Sequence, residues 1–101
     1  MLILSLYSVD MLDAAKKELA ALPKTENNQI IKRLIKLQHN PHIPALALSG
    51  NLAGCYEIKL RTAGIRAVYS VDDGKMTLLV IAIGKRERKQ VYKTASDRFN
   101  E

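Results

Sequence analysis

The stretch Cys55–Tyr92 constrains the fold of this chain most, because it contains three strand-like segments in a row followed by a basic helical segment. Within residues 56–61 the apolar side chains Tyr56, Ile58 and Leu60 alternate with three charged ones. Alternation with a period of two is typical of a strand that has one face buried and the other in water. The pattern therefore predicts a half-buried strand.

Two more strands and a helix follow from the same stretch. Residues 65–71 read as the return strand of a hairpin, and residues 72–74 (Asp-Asp-Gly) form the next turn, because Asp and Gly tolerate positive φ. Residues 76–83 are apolar on both faces apart from one Thr, which indicates a central strand covered on both sides. Gly84 is expected to end this strand. Residues 85–98 are predicted to form a polar helix.

The first half of the chain predicts one strand and two helices. Residues 2–7 are a mostly apolar run of strand length. Asp10 is expected to cap a helix that Pro23 ends, and Thr25 to cap a second helix that stops at Pro41. Apolar residues recur at helical spacing in both, and the short connection predicts an antiparallel helical hairpin.

Together these elements predict an α+β fold. An N-terminal strand and the helical hairpin would pack on one face of a small twisted antiparallel sheet, with a cleft on the other face and a short C-terminal helix. The chain has 101 residues, and we predict that residues 1–101 form a single domain. Its hydrophobic content of 48% is enough for a modest core and too high for a disordered chain.

Charge is concentrated in the second half. The stretch Cys55–Tyr92 holds eight Lys or Arg and four Asp or Glu, so it carries +4 of the formal net charge of +6. A surface that binds a polyanion needs such an excess, and nucleic acid is the expected partner. A basic protein without a polyanionic ligand is the alternative.

Nothing in the sequence predicts a membrane or secretory context. The single Cys55 cannot form an internal disulfide, which fits a reducing compartment. No apolar run approaches the roughly 18 residues of a membrane span, and the N-terminus lacks the features of a signal peptide. We expect a cytoplasmic protein with no membrane partner.

Basic side chains can converge at one end of the predicted hairpin. Lys59 and Arg66 lie on strands joined by a three-residue turn, as does Arg61, and Arg86 follows the next strand at the same end. Guanidinium groups bind phosphate oxygens and stabilise the extra charge of a phosphodiester transition state. The attacking 2′-hydroxyl also needs a base, and the leaving 5′ oxygen needs an acid. The alternative is a solvated basic strand edge that prevents aggregation.

Neither a metal nor a cofactor is expected. His39 and His42 are three residues apart, and without a third ligand such a pair is seldom a metal site. The adjacent Asp72 and Asp73 cannot face each other as a catalytic pair and read as turn residues. Gly84 with the following Lys and Arg lacks the further glycines and the hydroxyl of a phosphate-binding loop.

Two motifs resemble the RelE family of ribosome-dependent mRNA endonuclease toxins. The first is C-Y-x-I-K-L-R-x-x-G-x-R-x-V-Y-x-V from Cys55, and the second is V-I-x-x-G-K-R-E-R-x-x-V-Y from Val80. The resemblance spans roughly residues 22–98 and includes N-P-H-I-P at residues 40–44. The fold it implies is the α+β arrangement described above.

This resemblance implies the toxin of a type II toxin–antitoxin pair, which cleaves mRNA in the ribosomal A site by 2′-hydroxyl attack without a metal. Its implied partners are a cognate antitoxin, the ribosome and mRNA. Arg66 and Arg86 would stabilise the transition state, and Lys59 would supply charge or a proton. Tyr92 would orient or deprotonate the 2′-hydroxyl, or stack on a base. The residues predicted to bind RNA are Glu57, Arg61, Lys85, Arg88 and Lys89.

Glu57 departs from the family pattern, which often has lysine two residues before Lys59. A carboxylate there could act as a base, but it would also repel phosphate. Two alternatives stay open. One is a ParE-like inhibitor of DNA gyrase without nuclease activity, because that branch of the superfamily shares the fold. The other, because of Glu57, is an attenuated relic that only binds antitoxin. The convergent set of Lys59, Arg66, Arg86 and Tyr92 favours the nuclease, because a gyrase inhibitor does not require it.

Overall fold

The computed structural model describes residues 6–100, which contain four strands and three α-helices. The strands are β1 (Ser8–Met11), β2 (Cys55–Leu60), β3 (Ile65–Asp72) and β4 (Thr77–Lys85), and the helices are α1 (Asp13–Ala20), α2 (Lys24–Leu37) and α3 (Gln90–Phe99). Short 3-10 turns lie at Pro44–Leu46, Gly50–Leu52 and Glu87–Lys89. Within residues 6–100, no helix has the length and apolar character needed to cross a membrane.

The four strands form one sheet in the order β1-β4-β3-β2. Strands β2, β3 and β4 are antiparallel neighbours, as the alternation and turn residues predict. β1, however, pairs with β4 in parallel, from Ser8 opposite Thr77 to Met11 opposite Val80. Parallel strands need a long crossover connection, and the helical hairpin between β1 and the rest of the sheet supplies it. The α+β class is confirmed, while the sheet is mixed rather than purely antiparallel.

The N-terminal strand lies later than predicted. Residues 2–5 of the predicted segment 2–7 lie outside the described residues, residues 6 and 7 are not in a strand, and β1 begins at Ser8. Asp10 does not cap a helix; it lies in β1, where its Oδ1 accepts a hydrogen bond from the Met11 amide at 2.9 Å. α1 begins at Asp13 without a side-chain cap. Pairing with β4 gives hydrogen-bond partners to several backbone groups of β1, whereas a helix cap at Asp10 would satisfy fewer.

Three other predicted boundaries shift. α2 begins at Lys24 with Pro23 as its N-cap, so Thr25 lies inside the helix. Gly84 does not end β4, because it pairs with β3 and the strand continues through Lys85. The C-terminal α-helix begins only at Gln90, after a 3-10 turn.

Both faces of the sheet are covered. The helical hairpin buries one face with an aliphatic core that includes Ala15, Ile30 and Leu34. α3 and the Gly50–Leu52 turn cover part of the other face, where Val91 is buried together with the residues Leu52, Cys55, Val68, Ile81, Ala82 and Ala95. Burying an aliphatic side chain stabilises the fold by roughly 1.5–3 kcal/mol. The predicted cleft therefore does not extend over the whole second face.

Two charged side chains hold α3 on the sheet where β1 ends. The Ile83 amide donates to Glu18 Oε1 at 3.0 Å, and Arg98 Nη1 donates to the Ile81 carbonyl at 2.9 Å. Arg98 also donates to both carboxylate oxygens of Glu18, at 2.8 and 2.9 Å. Glu18 and Arg98 thus provide hydrogen-bond partners for backbone groups of β4 that lie beyond the end of β1. They also connect α1 and α3 to this strand.

Candidate functional site

Side chains from three elements meet at the edge of α3. Tyr92 of α3 donates a hydrogen bond from its hydroxyl to Glu57 Oε1 of β2 at 2.7 Å. Arg66 of β3 places its Nε 3.4 Å from the same oxygen, and its Nη1 donates to the Ile65 carbonyl at 3.0 Å. Glu57 is 8% exposed and Arg66 is 6% exposed. We call these three residues the buried triad.

The sheet register and the packing of α3 assemble the buried triad. The period of two puts Glu57 and Lys59 on the same face of β2, and Arg66 pairs directly with Lys59. Arg66 is therefore diagonal to Glu57, within reach of a long side chain. Val91 of α3 is buried against the sheet, and the adjacent Tyr92 therefore contacts Glu57 from the helix side of this face.

Burial changes the acidity of two groups near this site. Burial and the hydrogen bond to Glu57 raise the pKa of the Tyr92 hydroxyl, and the nearby Arg66 only partly offsets them. The phenol is therefore protonated at neutral pH. Burial also raises the pKa of the Cys55 thiol to about 11, which keeps it from acting as a thiolate nucleophile.

A small cleft of about 460 Å³ lies next to the β2–β3 turn. Its lining residues are Arg61, Thr62, Ala63, Gly64, Lys85, Arg86, Glu87 and Arg88. Four of these are basic and one is acidic, so the cleft favours an anionic ligand. The Arg86 amide donates to the Gly64 carbonyl at 2.9 Å, which fixes the chain after β4 against this turn.

A large groove of about 810 Å³ lies against α2 and shares Arg61, Thr62 and Ala63 with the small cleft. Its other lining residues are Glu26, Gln29, Arg33, Leu46, Lys59 and Leu60. Lys59 thus lines the large groove and Arg86 the small cleft, with the β2–β3 turn bordering both. Glu26 Oε2 is buried and has no hydrogen-bond partner among residues 6–100.

The backbone is strained where α3 begins. Arg88 and Lys89 have φ values of 52° and 58°, in the left-handed region that residues other than glycine seldom adopt. Such conformations cost of order 1–3 kcal/mol each and are concentrated at functional sites. The two residues turn the chain from the end of β4 into α3, which carries Tyr92 back over the sheet.

The structure brings most of the predicted site residues together, in two groups. Arg66 and Tyr92 meet through Glu57, with Lys59 paired to Arg66. Arg86 lies in the adjacent small cleft, which is also lined by Arg61, Lys85 and Arg88 of the predicted RNA-binding set. Two members of that set are placed differently. Glu57 is buried between Arg66 and Tyr92, and Lys89 lines neither cavity.

Three residues of α2 in the large groove were missed. Glu26, Gln29 and Arg33 are three and four positions apart, so they share one face of the helix. The spacing on α2 was the available signal, but the sequence did not indicate that this face borders β2.

A second polar cluster lies at the other end of the hairpin, and we call it the exposed network. Asp73 Oδ1 accepts a hydrogen bond from the Tyr7 hydroxyl at 2.6 Å and lies 2.7 Å from His42 Nε2. His42 Nδ1 lies 2.9 Å from the Tyr56 hydroxyl. The sequence predicts a loop residue at His42 and a turn residue at Asp73, and the structure brings the two into contact. In the described part of the chain, no three side chains that could hold a metal converge.

Comparisons with known proteins point to one kind of protein. The family described as phage-derived protein Gp49-like matches residues 17–100. A RelE-like toxin protein of Escherichia coli is 46% identical over 93 residues, which cover 92% of this chain and 97% of the relative. The mRNA interferase toxin RelE of Escherichia coli is 42% identical over 93 residues, with the same coverage of 92% and 97%.

Solved structures show the same similarity to RelE toxins. A doubly substituted variant of the E. coli toxin RelE in the free state matches with a TM-score of 0.84 and 40% identity, covering 92% of this chain and 97% of that one. The toxin in the intact E. coli RelBE toxin–antitoxin complex matches with a TM-score of 0.76 and 41% identity, covering 81% and 99%.

Proposed function

The chain belongs to the RelE family of toxins, and we propose that it cleaves mRNA in the ribosomal A site as the toxin of a type II toxin–antitoxin pair. The observation that carries this proposal is the buried triad beside a cleft lined by four basic residues. Guanidinium groups beside a basic cleft can stabilise the charge that develops on a phosphodiester, and a phenol hydrogen-bonded to a carboxylate can take part in proton transfer from the 2′-hydroxyl.

In the proposed reaction, the 2′-hydroxyl of one nucleotide attacks the adjacent phosphorus and the bond to the 5′ oxygen breaks. The transition state gains negative charge on the phosphate oxygens. Arg66 and Arg86 would donate N–H groups to these oxygens, as fixed donors placed where the charge develops. Lys59, paired with Arg66 across the hairpin, would protonate the leaving oxygen.

The two cavities support a path for the RNA strand. The small cleft and the large groove share the β2–β3 turn, and each carries basic side chains. A single strand that crosses this turn would place one phosphate near Arg86 and a neighbouring segment near Arg33 and Lys59. Its backbone would gain charge-assisted hydrogen bonds along the way.

The proposed partners follow from the relatives. RelE of E. coli has been solved in complex with its antitoxin RelB. We propose that this chain likewise binds a RelB-like antitoxin, because an unopposed nuclease of this kind would arrest its host. Its substrates would be mRNA and the ribosome that presents it, so we place its action in the cytoplasm.

The test is cleavage of a defined mRNA by the purified protein, with and without a programmed ribosome whose A site is empty. We expect cuts inside the A-site codon only when the ribosome is present. A matched control is Lys75→Ala, which removes an exposed basic residue from the β3–β4 turn, outside both cavities.

Two results would contradict the proposal. Absence of cleavage together with inhibition of gyrase supercoiling would instead support the ParE-like function. Absence of both activities, with retained antitoxin binding, would support an attenuated relic.

A further inference from the structure

We infer that Glu57 is the final proton acceptor of the cleavage reaction and receives the proton of the attacking 2′-hydroxyl through the Tyr92 hydroxyl. This inference rests on the proposed function and assigns the general base of that same site. It also gives Glu57 a role other than RNA binding.

The direction of one hydrogen bond is the starting point. A carboxylate can only accept hydrogen bonds, so in the 2.7 Å contact the Tyr92 hydroxyl donates to Glu57 Oε1. The lone pairs of the Tyr92 oxygen then remain available to accept a hydrogen bond from another group. Tyr92 is only partly buried, whereas Glu57 is 8% exposed, so a ribose can reach Tyr92 more readily than the carboxylate.

Tyr92 alone is a poor base. Burial and the hydrogen bond to Glu57 raise the pKa of its hydroxyl, which disfavours the phenolate form. A neutral phenol can accept a proton only if it passes its own proton on at the same time. The carboxylate of Glu57 is the acceptor already in contact with it.

Each proton that moves in this step has a donor and an acceptor. As the 2′ oxygen bonds to phosphorus, its proton moves to the Tyr92 oxygen and the phenolic proton moves to Glu57 Oε1. The bond between phosphorus and the 5′ oxygen breaks, and the leaving oxygen takes a proton from the Lys59 ammonium. Glu57 ends protonated and Lys59 neutral, and proton exchange with water restores both.

The position of Arg66 couples this transfer to catalysis. Before the reaction, the Glu57 carboxylate, 3.4 Å from Arg66 Nε, partly neutralises the guanidinium charge. When Glu57 accepts the proton it loses its charge, and the positive charge of Arg66 becomes fully available to the phosphate. Arg66 gains this charge as negative charge develops on the phosphate, in a buried site where water screens electrostatic interactions only weakly.

The charged and titratable groups around Glu57 come from three elements. They are Arg66 on β3, Tyr92 on α3 and, two residues along the same face of β2, Lys59. Lysine, which the family pattern often has in place of Glu57, would be protonated at neutral pH and could not accept a proton from Tyr92. The inferred base therefore distinguishes this chain from that pattern.

The experiment is single-turnover cleavage of mRNA on programmed ribosomes by the wild type, Glu57→Gln, Tyr92→Phe and the double variant. Glutamine keeps an acceptor oxygen for Tyr92 but cannot take up the proton. We expect Glu57→Gln to lower the cleavage rate by about 10²-fold or more, with ribosome affinity unchanged. The double variant should be no slower than the slower single variant, because the two residues act in one step.

Two further readouts separate proton transfer from a structural role. The rate of the wild type should fall at acid pH, and Glu57→Gln should lack this limb. Formate should restore part of the rate of Glu57→Ala, since a small carboxylate can occupy the vacated space. Asp73→Asn is the matched control, because it makes the same kind of change, carboxylate to amide, beside Tyr7 in the exposed network, and it should leave the rate unchanged.

The outcomes distinguish the inference from the proposed function. No cleavage by the wild type overturns both. Cleavage by the wild type with an equal or faster rate for Glu57→Gln overturns the inference alone, and a faster rate would show that Glu57 restrains Arg66. A slow Glu57→Gln that retains the acid limb, with no rescue of Glu57→Ala by formate, also overturns it.

Discussion

Two tyrosine–carboxylate pairs within residues 6–100 have hydrogen bonds of nearly the same length. In the buried triad, Tyr92 donates to Glu57 at 2.7 Å, and in the exposed network, Tyr7 donates to Asp73 at 2.6 Å. Each carboxylate also has a basic partner, Arg66 in the first case and His42 in the second. Hydrogen-bond length therefore does not distinguish the two.

Their surroundings do distinguish them. The side chains of Glu57 and Arg66 are 10% and 7% exposed, whereas those of Asp73 and His42 are 63% and 41% exposed. Water competes for the hydrogen bonds that Asp73 accepts in the exposed network, and salt screens its charge. In the buried triad each charge depends on its partner, and the basic cleft lies close by. Burial and neighbouring charge, rather than contact distance, therefore separate the two pairs.

The largest expected effect is on stability, from Arg66→Met. This variant leaves the Glu57 carboxylate buried without its cation, which costs about 3–5 kcal/mol of unfolding free energy. Denaturant unfolding measures it. The double variant Glu57→Gln with Arg66→Met should recover most of this loss, since a buried site without either charge is close to neutral. A loss below about 1 kcal/mol in the single variant would mean that Arg66 contributes no more to stability than a solvent-exposed ion pair such as that of the exposed network.

The next effect concerns activity. Arg86→Ala should lower ribosome-dependent cleavage by about 10²-fold or more through loss of one transition-state donor. Its unfolding free energy should hardly change, because Arg86 is exposed. Removing His42 from the exposed network by His42→Ala should leave the cleavage rate unaltered. Equal rates for wild type and Arg86→Ala would remove Arg86 from the proposed site.

The sequence predicts the proximity of the candidate residues Glu57, Lys59 and Arg66 because they lie on neighbouring strands. Alternation in residues 56–61 gives the shared face of Glu57 and Lys59, and a three-residue turn to β3 brings Arg66 back beside them. The position of Arg86 after the next strand puts it at the same end of the hairpin, and the resemblance to the RelE family, which the comparisons confirm, adds Tyr92.

The contacts of the site depend on tertiary packing, which no local pattern specifies. The bond between Tyr92 and Glu57 exists only because α3 packs on β4 and β3, from where Tyr92 reaches Glu57 of β2. The turn into α3 passes through left-handed Arg88 and Lys89. Residues of that type do not signal positive φ in a sequence. For the same reason, the parallel pairing of β1 and the face of α2 that lines the large groove were not foreseen.

A smaller effect is expected where the exposed network meets the core. Tyr69 stacks against Tyr56 with ring centroids 5.4 Å apart, and its hydroxyl donates to the buried Pro41 carbonyl at 2.9 Å. Tyr69→Phe leaves that carbonyl without a partner and should cost about 1–3 kcal/mol. Tyr56→Phe should cost less, because water can replace its hydroxyl at His42. Urea unfolding of both variants compares them, and the reverse order would show that the network is more buried in solution.

The smallest effect should come from Asp73→Asn. The hydrogen bond from His42, followed by that from Tyr7, lowers the pKa of Asp73 below the usual value of an aspartate. A lowered pKa means that this carboxylate stabilises the fold above the unfolded-state pKa of about 3.9, and that this contribution is lost as the pH falls through the folded-state pKa. Wild type should therefore be slightly more stable than Asp73→Asn at neutral pH and lose that advantage in acid. In about 1 M salt, where the Debye length is about 3 Å, the difference should shrink further. Unfolding of both proteins across this pH range measures it, and a large difference that persists in acid and in salt would mean that burial does not separate the two tyrosine–carboxylate pairs.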